Sequence, residues 1–172
     1  MHHHRNMYVF AAYTGGIRIS DALQLKWENY DGERLLLQTQ KTDDILSIKV
    51  PNKAKEILDS YKKSDSQPQD YIFPFLKNYI DYKSDPDLLF RSISSATAYT
   101  NKDLKQLAID LKINKKMHFH TSRHTFATRA LRKGIRIEYV SKIMTHSDIK
   151  TTQIYAKIIN EELDNAMDVF NK

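Results

Sequence analysis

Between Trp27 and Val50 the chain breaks into three short runs, Trp27 to Tyr30, Leu35 to Thr39 and Ile45 to Val50, separated by polar stretches that include Asp31-Gly32. Their partial alternation has the period of two that a half-buried strand needs, and such short spacers suit hairpins rather than crossovers. A small three-stranded antiparallel sheet is expected, closed by Pro51, which starts a helix running to about Tyr61. The remainder carries helical signals. Met7 to Thr14 is apolar enough for a buried helix, stopped by Thr14-Gly15-Gly16, and Ser20-Asp21 caps a short one. Ser94 or Ser95 is expected to cap a helix in which Leu104, Leu107, Ala108 and Leu111 follow core spacing. His120-Thr121-Ser122-Arg123 opens a helix that Gly134 ends, Glu138 to Met144 forms another, and Asp148 caps one carrying Tyr155. Asn160 begins a last helix with the apolar stripe Leu163, Ala166, Met167 and Phe170. Lys62 to Gln69 reads as a polar linker, and Tyr71 to Leu89 carries no clear signal. The expected fold class is α+β, mainly α: a helical domain with one small three-stranded antiparallel sheet.

A chain of 172 residues suits one domain with a real core. Met1-His2-His3-His4 reads as an affinity-tag remnant and is set aside, leaving residues 5–172 as the domain. With no cysteine, disulfides and thiolate metal sites are excluded, which suits a reducing cytoplasm. No apolar run approaches the ~20 residues of a membrane span. The net charge of +6 is unevenly placed. From Lys112 to Lys157 eleven Lys and Arg face only Glu138 and Asp148, while the rest of the chain is slightly acidic. Such a block favours a polyanion, because each neutralised phosphate releases counterions. Charge alone more commonly describes a solvated basic surface.

His120 and Arg123 lie three apart at a helix start, so both face one side near free N–H groups. A guanidinium offers a phosphate two parallel donors, and the helix dipole adds to them. Arg18 follows the Gly15-Gly16 turn among apolar residues, where burial demands a partner, and Asp21 three residues on is the simplest one. Lys41 falls at the tip of a hairpin, His146 follows a helix end, and Tyr155 comes nine residues later. Each alone has an ordinary reading: a surface His or Arg, an Arg18–Asp21 pair, a solubilising lysine, a packed tyrosine.

Together these residues resemble the tyrosine recombinase (phage integrase) family. The resemblance rests on Arg18 within Tyr13-Thr14-Gly15-Gly16-Ile17-Arg18-Ile19-Ser20-Asp21, on Lys41, and on His120-x-x-Arg123-His124-Thr125-Phe126-Ala127-Thr128. His146-Ser147 and Thr152-Gln153-Ile154-Tyr155 complete it, and it covers essentially Met7 to Lys172. Two departures stand out. The family usually has Gly before the third-box His, whereas this chain has Thr145, a β-branched residue where a positive φ is expected. Family members also carry an N-terminal DNA-clamping (core-binding) domain, absent here, so the chain is expected to be a fragment.

The resemblance implies a site-specific recombinase or integrase catalytic domain that cleaves and rejoins double-stranded DNA through a 3′-phosphotyrosyl link, without metal, ATP or other cofactor. It assigns Arg18, Arg123 and His146 to the scissile phosphate and Lys41 to protonation of the leaving 5′ oxygen. Tyr155 becomes the nucleophile and His120 its proton acceptor, with Asp21 and His124 supporting. Lys115, Lys116, Arg129, Arg132 and Lys150 are expected to contact DNA. A homo-oligomer, a tetramer on DNA joined through the C-terminal helix, is expected, packing of that helix on its own domain being an equal alternative and the isolated fragment being monomeric otherwise; the expected location is the cytoplasm. Two other classes share features: a type IB topoisomerase-like enzyme, which relaxes supercoils, and a DNA-binding module that lost activity.

Overall fold

The computed structural model describes residues 2–38 and 45–156. Its elements run α1 (His2–Tyr13), α2 (Ile19–Leu23), a 3₁₀ turn (Trp27–Asn29), β1 (Arg34–Gln38), β2 (Ile45–Lys49) and α3 (Asn52–Asp59). These are followed by α4 (Pro86–Asp110), α5 (Thr121–Arg132) and α6 (Ile137–Ile143). Residues 150–156 are again helical. No described helix is long and apolar enough to cross a membrane.

Helix α1 is the hub. It packs against α3, α4 and α5 and buries Met7, Phe10 and Ala11 completely. Phe10 meets Phe73 edge-on at 5.4 Å, an arrangement aromatic rings prefer to face-to-face stacking. Around this pair the main core collects Leu23, Leu25, Leu35, Leu58, Leu104 and Phe119. A second, smaller cluster holds Ala127, Ala130, Val140, Met144 and Tyr155. The expected mainly helical class with one small sheet is what forms.

The sheet has two strands among the described residues, not three. Antiparallel β1 and β2 pair with Arg34 opposite Lys49 and Gln38 opposite Ile45, and β1 alternates with Leu35 and Leu37 buried. Trp27 to Tyr30, expected as the first strand, instead makes a 3₁₀ turn followed by an isolated bridge from Tyr30 to Leu35. Asn29 explains the difference locally: its side-chain oxygen accepts from Lys26 N at 2.9 Å, closing the turn before a ladder can start. Asp31 then accepts from the N–H groups of Glu33 and Arg34 at 2.8 and 2.7 Å, which sets the entry to β1.

Helix α4 starts well before Ser94. Asp85 accepts from Leu88 N at 2.8 Å and Pro86 occupies the first turn, where its missing N–H costs nothing. Ser94 and Ser95 lie inside the helix. The expected helices at Asn52, Thr121 and Ile137 are present, the first beginning directly after Pro51. Asp148 accepts from Lys150 N at 2.9 Å, as expected of a cap for the segment bearing Tyr155. The hairpin tip with Lys41, and the last expected helix with Leu163, Ala166, Met167 and Phe170, lie outside the described residues.

Candidate active site

The site begins with the turn after α1. Gly15 and Gly16 have φ of +75° and +62°, which a side chain would resist. Space forbids a side chain as well. A Cβ on Gly16 would sit 2.9 Å from Arg123 Cα, and one on Gly15 would sit 2.8 Å from Ile143 Cγ2. The two glycines therefore let the α1–α2 turn touch α5 and α6, bringing Arg18, Arg123 and the end of α6 together.

Arg123 is 4% exposed. Its Nη1 donates to the Gly16 carbonyl, and its Nη2 donates to Met144 O at 2.7 Å. Nη2 also lies 3.1 Å from His146 Nε2. Since a guanidinium only donates, this nitrogen of His146 accepts, and Nδ1 then donates to Thr152 Oγ1 at 2.9 Å. Burial and the neighbouring Arg18 bring the Arg123 pKa down to about 10, with Tyr155 and Asp21 pulling the other way. It remains a cation at neutral pH.

Arg18, half-buried at the start of α2, does not spend its side chain on the turn as the simple Arg18–Asp21 reading had it. Nη1 donates to Thr145 Oγ1 at 3.0 Å and Nη2 to Thr145 O at 3.4 Å. Asp21 is 7% exposed and favours the charged form of Arg123. Thr145 has φ +52°, the left-handed conformation expected at this position. Its hydroxyl donates to Met144 O at 2.7 Å while accepting from Arg18. Consecutive carbonyls of one turn thus hold both arginines.

Tyr155 is 7% exposed, and its hydroxyl lies 2.8 Å from His124 Nδ1. Burial raises its pKa, opposed by Arg123. Partial burial lowers the pKa of His124, helped by His118 and Arg123. His120 is lowered by burial first, then by His124, Arg123, His118 and Arg18. The structure therefore gathers Arg18, His120, Arg123, His124, His146 and Tyr155 into one neighbourhood. Sequence reading missed the backbone carbonyls of Gly16 and Met144 and the hydroxyl of Thr152. Carbonyls leave no residue-type signal, whereas Thr152 sits three before Tyr155 in the Thr152-Gln153-Ile154-Tyr155 stretch.

Of the residues expected to touch DNA, Lys115, Lys116, Arg132 and Lys150 are exposed, whereas Arg129 packs its guanidinium 4.2 Å from the centre of the Tyr13 ring. Among the described residues no group of three or more His, Cys, Asp or Glu is placed to hold a metal ion.

The family model described as the phage integrase family matches residues 2–162. The chain belongs to the phage integrase family. Similar proteins include a tyrosine recombinase of Pseudothermotoga lettingae, 29% identical over 160 residues, covering 90% of this chain and 50% of that protein. XerD of Staphylococcus saprophyticus is 32% identical over 171 residues, covering 92% of this chain and 52% of that protein. The chain spans about half the length of these curated relatives. The phage integrase fold also superposes on the crystal structure of XerA recombinase with TM-score 0.64 and 22% identity, over 99% of this chain and 64% of that one. XerH recombinase, in a post-cleavage complex with its palindromic difH substrate, gives TM-score 0.66 at 17% identity, over 98% and 46% of the two chains.

Proposed function

We propose that this chain is the catalytic part of a site-specific DNA recombinase, a strand-breaking and rejoining enzyme acting through a 3′-phosphotyrosyl intermediate. The observation that carries the reading is the convergence of two guanidiniums, an imidazole and a buried tyrosine around the turn at Met144-Thr145. Transfer of a phosphodiester requires cations to offset charge on the non-bridging oxygens, and preorganised donors do this without reorganisation. Arg18 and Arg123 supply that charge. His146 stands beside Arg123, 3.1 Å from its Nη2.

Tyr155 is the nucleophile. Its phenol oxygen bonds to phosphorus and the 5′ oxygen leaves, so the bond energy is kept in the ester. A 5′-hydroxyl can then attack and reseal the strand. Lys41 serves as the acid for the leaving oxygen. The exposed Lys115, Lys116, Arg132 and Lys150 extend the positive surface for a DNA backbone, and a salt-dependent affinity follows. Assembly into a homo-oligomer on DNA is part of the same proposal. The names of the relatives support this reading, several of them being tyrosine recombinases.

The test is covalent capture. The chain is incubated with a library of nicked duplexes of randomised sequence, and adducts are resolved on a denaturing gel. Wild type should yield a protein–DNA adduct at Tyr155. Tyr155→Phe should yield none while keeping salt-sensitive binding, and an adduct formed by that variant overturns the assignment.

A further inference from the structure

Helix α6 ends in a turn that ordinarily calls for glycine. Thr145 N donates to Lys142 O at 3.0 Å and His146 N to Ser141 O at 3.1 Å, the pair of bonds that closes a helix through one left-handed residue. That residue is Thr145, at φ +52°. Glycine would close the same turn without a Cβ crowding the backbone, and a β-branched side chain is a poor fit for it. Strained residues of this kind cluster at functional sites.

What the side chain adds is a hydroxyl between the two arginines. It accepts from Arg18 Nη1 at 3.0 Å and donates to Met144 O at 2.7 Å, the carbonyl that also accepts from Arg123 Nη2 at 2.7 Å. The other bond from Arg18 to this residue, Nη2 to Thr145 O, is longer at 3.4 Å. Guanidiniums held in one site repel each other. Burial first, and Arg18 second, bring the Arg123 pKa down to about 10. Acceptors fixed on the turn offset that repulsion and keep the half-buried Arg18 beside Arg123 before any anion arrives.

Resting on the recombinase reading above, we propose that Thr145 is a positioning residue whose hydroxyl presets Arg18 for the scissile phosphate, tying it to the same carbonyl that receives Arg123. A guanidinium carries five N–H donors. The bonds to Thr145 take one from Nη1 and one from Nη2. Each of these nitrogens keeps a further N–H, and Nε has its own, so anchor and phosphate do not compete for the same hydrogens. With glycine in place of Thr145 the turn would relax, and Arg18 would lose its nearer acceptor.

Three variants separate the hydroxyl from the strain. Thr145→Ser keeps both, Thr145→Ala keeps only the strain, and Thr145→Gly removes both. Single-turnover adduct formation is measured on a nicked duplex that wild type captures, at saturating protein, alongside DNA affinity and melting temperature. Thr145→Ala and Thr145→Gly should both react more slowly by on the order of 10–10²-fold, with DNA affinity nearly unchanged. Thr145→Ser should restore the wild-type rate. Thr145→Gly should also melt no lower than wild type, so that rate and stability part company, as they do not for a residue that only supports the fold. A Thr145→Gly chain as fast as wild type overturns the proposal, and so does a Thr145→Ser chain as slow as Thr145→Ala.

A second readout needs no DNA. Rotation of the Arg18 guanidinium is followed by NMR through its side-chain ¹⁵N resonances, assigned by their loss in Arg18→Lys. Rotation should be faster in Thr145→Ala than in wild type and slow again in Thr145→Ser. An unchanged rate in Thr145→Ala refutes the anchoring. Faster rotation in Thr145→Ala, with no adduct from wild type on any duplex, keeps the anchoring and removes the recombinase reading instead.

Discussion

The main core around α1 and the small cluster at the end of the described chain hold different halves of the site. Met7, Phe10 and Phe73 anchor a thick apolar mass, with the Gly15-Gly16 turn and Arg18 following directly from α1. Tyr155 belongs to the other cluster, whose buried members among the described residues are otherwise Ala127, Ala130, Val140 and Met144. Arg123 joins the two by bonds to Gly16 and Met144. Arg18 thus starts from the more heavily packed region, whereas Tyr155 and the Met144-Thr145 turn that holds both arginines belong to the more lightly packed one. Segments with few buried contacts open at lower cost than a core, so the tyrosine is the more movable part.

That contrast can be broken at several points. Phe10→Ala removes a fully buried ring from the main core and should cost about 3–5 kcal/mol in denaturant unfolding, loosening Arg18 and Tyr155 alike. Gly16→Ala adds both left-handed strain and a collision with Arg123 Cα, for roughly 2–3 kcal/mol, visible as a lower melting temperature. Met144→Ala should cost about 2 kcal/mol, at the lower end for a buried methionine, because the cluster around it is small. Hydrogen exchange should then accelerate in residues 140–156 while α1 stays protected. Equal acceleration in α1 would show that the two regions open as one.

Thr145→Gly should stabilise the chain by less than about 1 kcal/mol, relief of left-handed strain outweighing the lost bond from Arg18. A clear loss of stability would mean that the hydroxyl matters more than the strain. The smallest effect is that of acid. His120 and His124 have folded-state pKa values below the ordinary 6.5, so the unfolded chain binds these protons first. Stability should therefore be fully present above that value and fall as pH drops through the histidine range. His124→Gln should flatten the slope.

Legibility followed the kind of signal each feature leaves. Apolar periodicity and breakers located α1, α3, α5 and α6, because burial and glycine or proline geometry act locally. Helix α4 was placed too late because Asp85-Pro86 sits in a stretch poor in apolar spacing, though it carries a cap and a first-turn proline. The missing first strand turned on one side chain, Asn29, folding back on Lys26. In the site, Arg18, Arg123, His146 and Tyr155 were legible as a spaced set, and the positive φ at Thr145 was anticipated from a substitution for glycine. The resemblance had His120 taking the Tyr155 proton with His124 in support; the 2.8 Å approach of the Tyr155 hydroxyl to His124 Nδ1 depends on how residues 150–156 meet α5, which spacing along the chain does not encode.

The turn at Met144-Thr145 has a thermodynamic consequence of its own. Arg123 hangs from its first carbonyl and Arg18 from its second, with the Thr145 hydroxyl accepting from Arg18 and donating to the Met144 carbonyl. Two cations suspended from adjoining peptides are geared together, since any displacement of the turn moves them in concert. Groups that share a partner give mutational effects that do not sum. In a double-mutant cycle, removal of either arginine should already forfeit part of what the other contributes, so that the pair behaves as a single unit.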